Sequence, residues 1–206
     1  MGAPVRGSPG FLLEGLAAFH GFRLVALAES MGLLARTIHK EIDLPQIEAA
    51  LAAFARVGVA RGGLGVFPTV TAVSQEALAR ALQSVWAAVE ESPLPEHEWS
   101  GMAAILGEET LAELVGVSQS SLHRYRAGLR PTPDSVAGRL HFLALVASDL
   151  AGSYNDFGVR RWFGRARSAL DGRSPAELLS GDWDPDDPGP QQVRGLASAL
   201  LSPIAT

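Results

Sequence analysis

Side chains suited to nucleic-acid chemistry are concentrated in one stretch of this 206-residue chain. Between Leu114 and Pro133 there is no aspartate or glutamate. Glutamine pairs well with adenine and arginine with guanine, whereas serine and further arginines commonly bind phosphates. The candidates for base contact are Gln119, Ser120, His123 and Arg124, and those for phosphate contact are Ser118, Ser121, Arg126 and Arg130. For each single residue, a plain solvated surface position is the competing interpretation.

The spacing around these residues is typical of a helix-turn-helix over residues 110–128. Two helices that cross steeply need a short turn, and Gly116 stands where the first helix is expected to end. Ser118 can cap the second helix. The small Ala112 would allow close approach, and four apolar residues would fill the angle between the helices, namely Val115, Val117, Leu122 and Tyr125. An ordinary helical hairpin with a capped second helix is the alternative.

A poorer copy of this pattern lies earlier in the chain, at residues 27–33 with Ile38 following. Here Glu41 stands at the position that Tyr125 occupies in the better copy. An unpaired carboxylate buried at that position would be costly. We therefore expect a degenerate version that serves packing, with a second DNA-reading motif as the alternative.

Composition excludes several kinds of site. The chain has no cysteine, which excludes disulfides, thiol catalysis and cysteine-ligated zinc. The five histidines lack ligand spacing and no GxSxG or HExxH motif occurs, so we expect neither an enzyme nor a bound metal or cofactor. The absence of a long uncharged apolar run and of a secretion signal predicts a cytoplasmic protein outside the membrane. The net charge of −5 argues weakly against nucleic-acid binding, but a local basic face determines contact.

Apolar residues recur mainly at helical spacing, which predicts an all-α fold. Residues 1–10 are expected to be a disordered lead. Residues 11–91 are expected to form an N-terminal helical domain, in which the β-branched run at 66–73 is compatible with a small hairpin. The proline-containing residues 92–97 are expected to link it to a helix-turn-helix domain at 98–152, followed by a helical domain at 153–206.

A distinctive pattern runs through the second half of the chain: residues 110–128, the pair Trp162-Phe163, the run ALDGRSPAELL at 169–179, and residues 193–200. By this pattern the second half resembles antitoxins of the Xre/MbcA/ParS family. The resemblance implies a helical toxin-binding domain after the DNA-binding domain. It also implies operator DNA as a ligand and a RES-domain toxin, which acts on NAD, as a partner. Residues 1–95 lie outside the resemblance and leave room for a sensing role.

Together these features predict a DNA-binding antitoxin of a type II pair that neutralises a RES-type toxin and represses its own operon. A stand-alone helix-turn-helix regulator with an N-terminal sensing or docking domain is the alternative. Toxin contact is expected at Arg165, Arg173 and Trp183, because arginine and aromatic side chains often anchor interfaces. If Trp183 packs inward, it only anchors its loop.

A homodimer is expected because a single helix-turn-helix reads only a few base pairs, so that specificity usually needs two half-sites. The helix after Asp134 offers more apolar surface than one face needs. Its expected dimer contacts are Leu140, Phe142, Leu143, Leu145 and Val146.

Overall fold

The computed structural model describes residues 13–37, 39, 41–61 and 74–201. Within these ranges the chain is helical and contains no strand, which confirms the all-α class. The expected hairpin at 66–73 and the expected disordered lead at 1–10 lie outside the described residues. The α-helices are α1 (Gly15–Ser30), α2 (Leu44–Arg56), α3 (Gln75–Glu90), α4 (Pro95–Leu106), α5 (Glu108–Val115), α6 (Gln119–Arg126), α7 (Asp134–Leu150), α8 (Asp156–Gly164), α9 (Pro175–Leu178) and α10 (Pro188–Ser198), with a short 3-10 helix at Ser168–Leu170.

Helix α7 is the central element of the core. From Val136 to its end at Leu150 every residue except Gly138 is buried, and α1, α4, α5 and α10 pack around it. A largely apolar helix that is buried on nearly all sides requires such a position. The apolar side chains that were expected to supply a dimer contact are therefore covered by the chain itself: Leu140, Phe142, Leu143, Leu145 and Val146. They are not available to a second copy.

The N-terminal helices join the helix-turn-helix region through a close crossing of α1 and α4. At Gly101 an added Cβ would lie 2.7 Å from the backbone nitrogen of Gly32, closer than real Cβ contacts allow. Helices α1 and α4 can approach this closely only because residue 101 is glycine. The expected linker at 92–97 contains only a short connection from α3 to α4, and the helices on both sides of it contribute to one hydrophobic core.

Two buried polar groups also connect distant parts of the chain. The fully buried carboxylate of Asp149 on α7 lies 3.4 Å from Arg23 of α1 and 2.9 Å from Arg194 of α10. Burial raises the pKa of Asp149, and the two arginines oppose that rise. His141 of α7 lies 2.6 Å from Glu98 of α4, and its Nε2 donates a hydrogen bond to the Glu90 carbonyl at the end of α3, at 3.0 Å. These contacts join α1, α3, α4 and α10 to α7.

Candidate nucleic-acid interface

Helices α5 and α6 are joined by a short glycine turn at the position that the spacing predicts. Gly116 ends α5 in the left-handed conformation, with φ of +75° and ψ of 36°. The Gly116 N–H donates to the Glu113 carbonyl at 3.1 Å and the Val117 N–H to the Ala112 carbonyl at 2.9 Å. This pair of bonds is the Schellman ending of a helix, and its left-handed residue favours glycine. Ser118 then caps α6, because its Oγ accepts a hydrogen bond from the Ser121 N–H at 3.2 Å.

An apolar wedge fixes the angle between α5 and α6. Its members are all buried, namely Leu111, Ala112, Val115, Leu122 and Tyr125, while Val117 is half-buried. The ring of Tyr125 stacks on Trp99 of α4, with centroids 5.8 Å apart and an interplanar angle of 19°. The Trp99 indole N–H donates to the Thr132 hydroxyl at 3.0 Å, which holds the segment after α6 against α4. The position of α6 is thus set by the core rather than by loops.

The outward face of α6 carries the residues expected to contact bases. Gln119, Ser120, His123 and Arg124 are all exposed. Ser121 is half-buried, and its hydroxyl accepts a hydrogen bond from the Ser118 hydroxyl at 3.0 Å. The two serines expected at phosphates therefore also serve the N-terminal cap of α6.

One carboxylate organises two of the expected DNA contacts. Glu108, the first residue of α5, lies 2.8 Å from His123 Nε2 and 2.5 Å from Arg126 Nη1. The His123 hydrogen bond, followed by that of Arg126, holds the pKa of Glu108 below its ordinary value. Glu108 was not among the predicted site residues, because the motif begins at Thr110 and these partners lie 15 and 18 residues farther along the chain.

Arg124 and Arg130 have no carboxylate partner among the described residues. Arg124 is exposed near the end of α6. The guanidinium carbon of Arg130 lies 5.7 Å from the ring centroid of Tyr125, within the range of a cation–π contact. The guanidinium groups of Arg124 and Arg130 are thus not paired with a carboxylate of the described residues, whereas that of Arg126 is paired with Glu108.

Of the two orientations that the sequence left open for Trp183, the structure shows the one in which the side chain packs inward. It is 5% exposed, its indole N–H donates to the Leu114 carbonyl at 2.9 Å, and its ring packs edge-on against Phe142 with centroids 5.3 Å apart. The buried Arg139 donates to the Trp183 carbonyl at 2.6 Å and pairs with Asp182. Trp183 thereby fixes the loop of residues 180–187 beneath α5 and offers no surface to a toxin.

The other two expected toxin contacts, Arg165 and Arg173, are exposed and lie in adjacent segments. The Arg167 N–H donates to the Arg173 carbonyl at 3.0 Å, so that residues 165–167 run beside residue 173. The turn that follows is fixed by a capping box. Ser174 accepts from the Glu177 N–H at 3.2 Å, and the Glu177 carboxylate accepts from the Ser174 N–H at 2.6 Å. These contacts hold the pKa of Glu177 below its ordinary value.

The earlier, poorer pattern forms the turn but not the second helix. Gly32 follows α1 with a φ of +74°, as Gly116 follows α5. The next helix, α2, begins only at Leu44, and the described residues between 33 and 43 form a loop in which Glu41 is exposed. Ile38 lies outside the described residues. The segment therefore corresponds to the packing version of the pattern.

Among the described residues, no group of histidine, aspartate and glutamate side chains is placed to bind a metal ion. No helix in this part of the chain is long and apolar enough to cross a membrane. Comparison with protein-family models, with curated proteins and with solved structures found no match.

Proposed function

We propose that this chain binds operator DNA through α6 and represses its own operon as the antitoxin of a toxin–antitoxin pair. The observation that carries the DNA-binding proposal is the face of α6. It is capped at its N-terminus, fixed by a buried wedge and exposed along Gln119, His123 and Arg124. A helix of this kind enters the major groove with its N-terminal residues near the base edges.

In this proposal the contacts divide into two groups. Gln119 and Arg124 carry the side chains that pair bidentately with adenine and guanine, and Ser120 and His123 are their neighbours on the same face. Arg126 and Arg130, with the cap serines Ser118 and Ser121, contact phosphates and set the register. DNA must compete with Glu108 for His123 and Arg126, since both are paired in the free chain.

A two-fold homodimer on DNA remains part of the proposal, because one α6 reads only a few base pairs. The apolar side chains of α7 do not contribute to it, since they are buried within the chain. Light scattering of the protein with and without its operator measures this. A protein that stays monomeric on operator DNA at micromolar concentration would contradict the dimer.

The antitoxin part of the proposal is supported by the exposed arginines after α8. Arg165 and Arg173 lie in segments joined by the backbone hydrogen bond from Arg167 to Arg173, and the capping box at Ser174 fixes the start of α9. Arginine is over-represented among the residues that dominate protein interfaces. The proposed partner is a RES-domain toxin, on the resemblance of this segment to Xre/MbcA/ParS antitoxins.

The second candidate is a stand-alone regulator that senses a small ligand. A groove of about 550 Å³ favours it, between the end of α1 and the connection from α7 to α8. Its walls include Phe22, Tyr154 and Phe157, together with Glu29 and His39, whose side chains pair at 2.7 Å. A volume of this size is in the range of small-molecule sites.

The test of DNA binding uses the full chain and the DNA upstream of its own coding region. We expect sequence-specific retention of this DNA over a shuffled fragment of equal length, and repression of a reporter placed behind it. Equal binding of both fragments at physiological salt would contradict operator recognition.

The test of toxin neutralisation is co-expression with the neighbouring gene. Truncation after Gly172 is unsuitable, since it removes the buried Leu179, Trp183 and Val193. The paired variants Arg165→Ala and Arg173→Ala, both at exposed positions, should lose protection while retaining operator binding. Full protection by both variants would place the toxin contact elsewhere, and the absence of a neighbouring toxin gene would favour the stand-alone regulator.

A further inference from the structure

A second groove, of about 540 Å³, lies on the C-terminal part of the chain and shares only Arg165 with the residues proposed above for toxin contact. It runs between α8 and the segment that leads to the 3-10 helix at Ser168–Leu170, with Leu196 of α10 at its edge. We call it the arginine groove, because its walls contain Arg161, Arg165 and Arg167 beside the rings of Tyr154, Phe157 and Trp162.

The charges in the arginine groove are all of one sign. None of the residues that line it is acidic, and among the described residues none of the three guanidinium groups pairs with a carboxylate. The chain as a whole, in contrast, has a net charge of −5. The guanidinium carbon of Arg167 lies 4.7 Å from the ring centroid of Trp162, and that of Arg161 lies 6.0 Å from that of Phe157. Aromatic faces therefore hold two of the cations in place, although like charges repel one another.

Two residues that line the groove each carry a buried donor without a hydrogen-bond partner in the chain. The indole N–H of Trp162, a residue that is 2% exposed, has no hydrogen-bond partner, and neither has the buried Nε–H of Arg167. Buried polar groups in native proteins are almost always hydrogen-bonded, so that each exception requires an explanation. The surplus of positive charge along the groove therefore points to an anionic ligand.

We propose that the arginine groove binds a small organic phosphate. Arginine forks bind phosphate oxygens bidentately, and three of them around one groove match a group that carries more than one negative charge. The partly exposed rings of Tyr154 and Phe157 provide a surface for the apolar or planar body of the same ligand. No residue of the groove belongs to α5 or α6, so this site is separate from the one proposed for DNA. Because Arg165 is also a proposed toxin contact, ligand and toxin would compete for it.

The experiment is a calorimetric titration of the full chain with four probes: pyrophosphate, ATP, adenosine and citrate. We expect saturable binding of pyrophosphate and tighter binding of ATP, while adenosine and citrate bind weakly or not at all. Arg165→Ala and Arg161→Ala should each weaken ATP binding about tenfold, as expected for the loss of one charge-assisted contact. Both positions are exposed, so the fold should survive, and circular dichroism checks this.

Arg124→Ala on α6 is the matched control. It should leave ATP binding unchanged and weaken operator binding, whereas Arg161→Ala should do the reverse, which separates this proposal from that for DNA. The proposal is overturned if neither pyrophosphate nor ATP binds, or if both groove variants bind ATP as the parent chain does. Preference for citrate over pyrophosphate would also overturn it. So would binding of a single-stranded oligonucleotide through these arginines without binding of ATP, since the groove would then be a nucleic-acid surface.

Discussion

At the scale of single residues, the face of α6 combines free and restrained cations. Arg124 has no partner among the described residues, whereas His123 and Arg126 share the carboxylate of Glu108 at 2.8 and 2.5 Å. A restrained arginine is oriented before DNA arrives but must exchange one anion for another. Free and restrained cations should therefore respond differently to substitution.

Arg124→Ala should weaken binding to the cognate operator by about 1–3 kcal/mol and relax specificity at one base pair, because a bidentate contact is lost. Arg130→Ala should weaken all sequences more uniformly and flatten the salt dependence. Fluorescence anisotropy on cognate and shuffled DNA at several salt concentrations measures both effects. Arg80→Ala, at an exposed position of α3, is the control and should change neither. Indifference of binding to Arg124→Ala and Arg130→Ala would remove α6 as the DNA-reading helix.

Glu108→Gln should increase the affinity for DNA of random sequence and steepen its salt dependence by about one released counterion, since Arg126 becomes free for a phosphate. Protonation of Glu108 at low pH should release the same two partners, which lower the pKa of this carboxylate. The carboxylate stays charged as the pH falls through the ordinary glutamate range, and the pairs are lost only as the pH passes the lowered pKa. Anisotropy on random-sequence DNA measures the variant, with Glu91→Gln at an exposed site as control. Unchanged random-sequence affinity would mean that Glu108 does not restrain Arg126.

Local signals were sufficient to predict most of this site from sequence. Gly116, Ser118 and the apolar wedge ending at Tyr125 follow one another within a single turn and two short helices, so their spacing specifies their geometry. The partner of His123 and Arg126 was not predictable in this way. Glu108 meets them only because α5 and α6 cross, and the crossing is a tertiary contact.

At the scale of elements, the loop of residues 180–187 is anchored to the core by Trp183, its one buried residue. A loop rich in proline and aspartate suggests a solvent-exposed segment, and the sequence left both orientations of Trp183 open. Leu114, Phe142 and Arg139 decide between them, through a hydrogen bond to the indole, a ring contact and a hydrogen bond to the backbone carbonyl. All three partners are distant along the chain, which is why no local pattern indicated the outcome.

Trp183→Ala should lower the free energy of unfolding by about 3–5 kcal/mol, because it removes a buried ring and leaves the Leu114 carbonyl without its donor. Urea unfolding followed by circular dichroism measures this. Arg173→Ala, at an exposed position of the same region, should stay within about 0.5 kcal/mol of the parent chain. A Trp183→Ala protein of unchanged stability that no longer protects against the toxin would instead make this side chain a direct contact.

At the scale of the whole molecule, the N-terminal helices and the helix-turn-helix share one core. The boundary expected at 92–97 was inferred from prolines, which report local chain direction but not what packs on either side. Helix α4 contacts α1 as well as α5, α6, α7 and α8, and it carries both Gly101 at the crossing with α1 and Trp99 beneath Tyr125. The periodicity of α7 predicted its apolar surface correctly but not which element covers that surface. Four helices of the same chain cover it, not a second copy. A disturbance at α1 should therefore reach α6.

Gly101→Ala tests this coupling. The added methyl would meet the backbone of Ser30 and Gly32, which cannot move away as a flexible side chain could, so we expect a loss of about 3 kcal/mol of stability from overpacking. Because the same helix supports Tyr125 through Trp99, operator affinity should fall as well, although residue 101 is buried and cannot contact DNA. Gly195→Ala in α10 is the matched control, since a Cβ there has open space, and it should be neutral or stabilising by up to about 1 kcal/mol.

Urea unfolding should give one transition, coincident by circular dichroism and tryptophan fluorescence, for both proteins. Two separate transitions, with operator binding retained after the first, would show instead that the N-terminal helices unfold independently of the DNA-binding region.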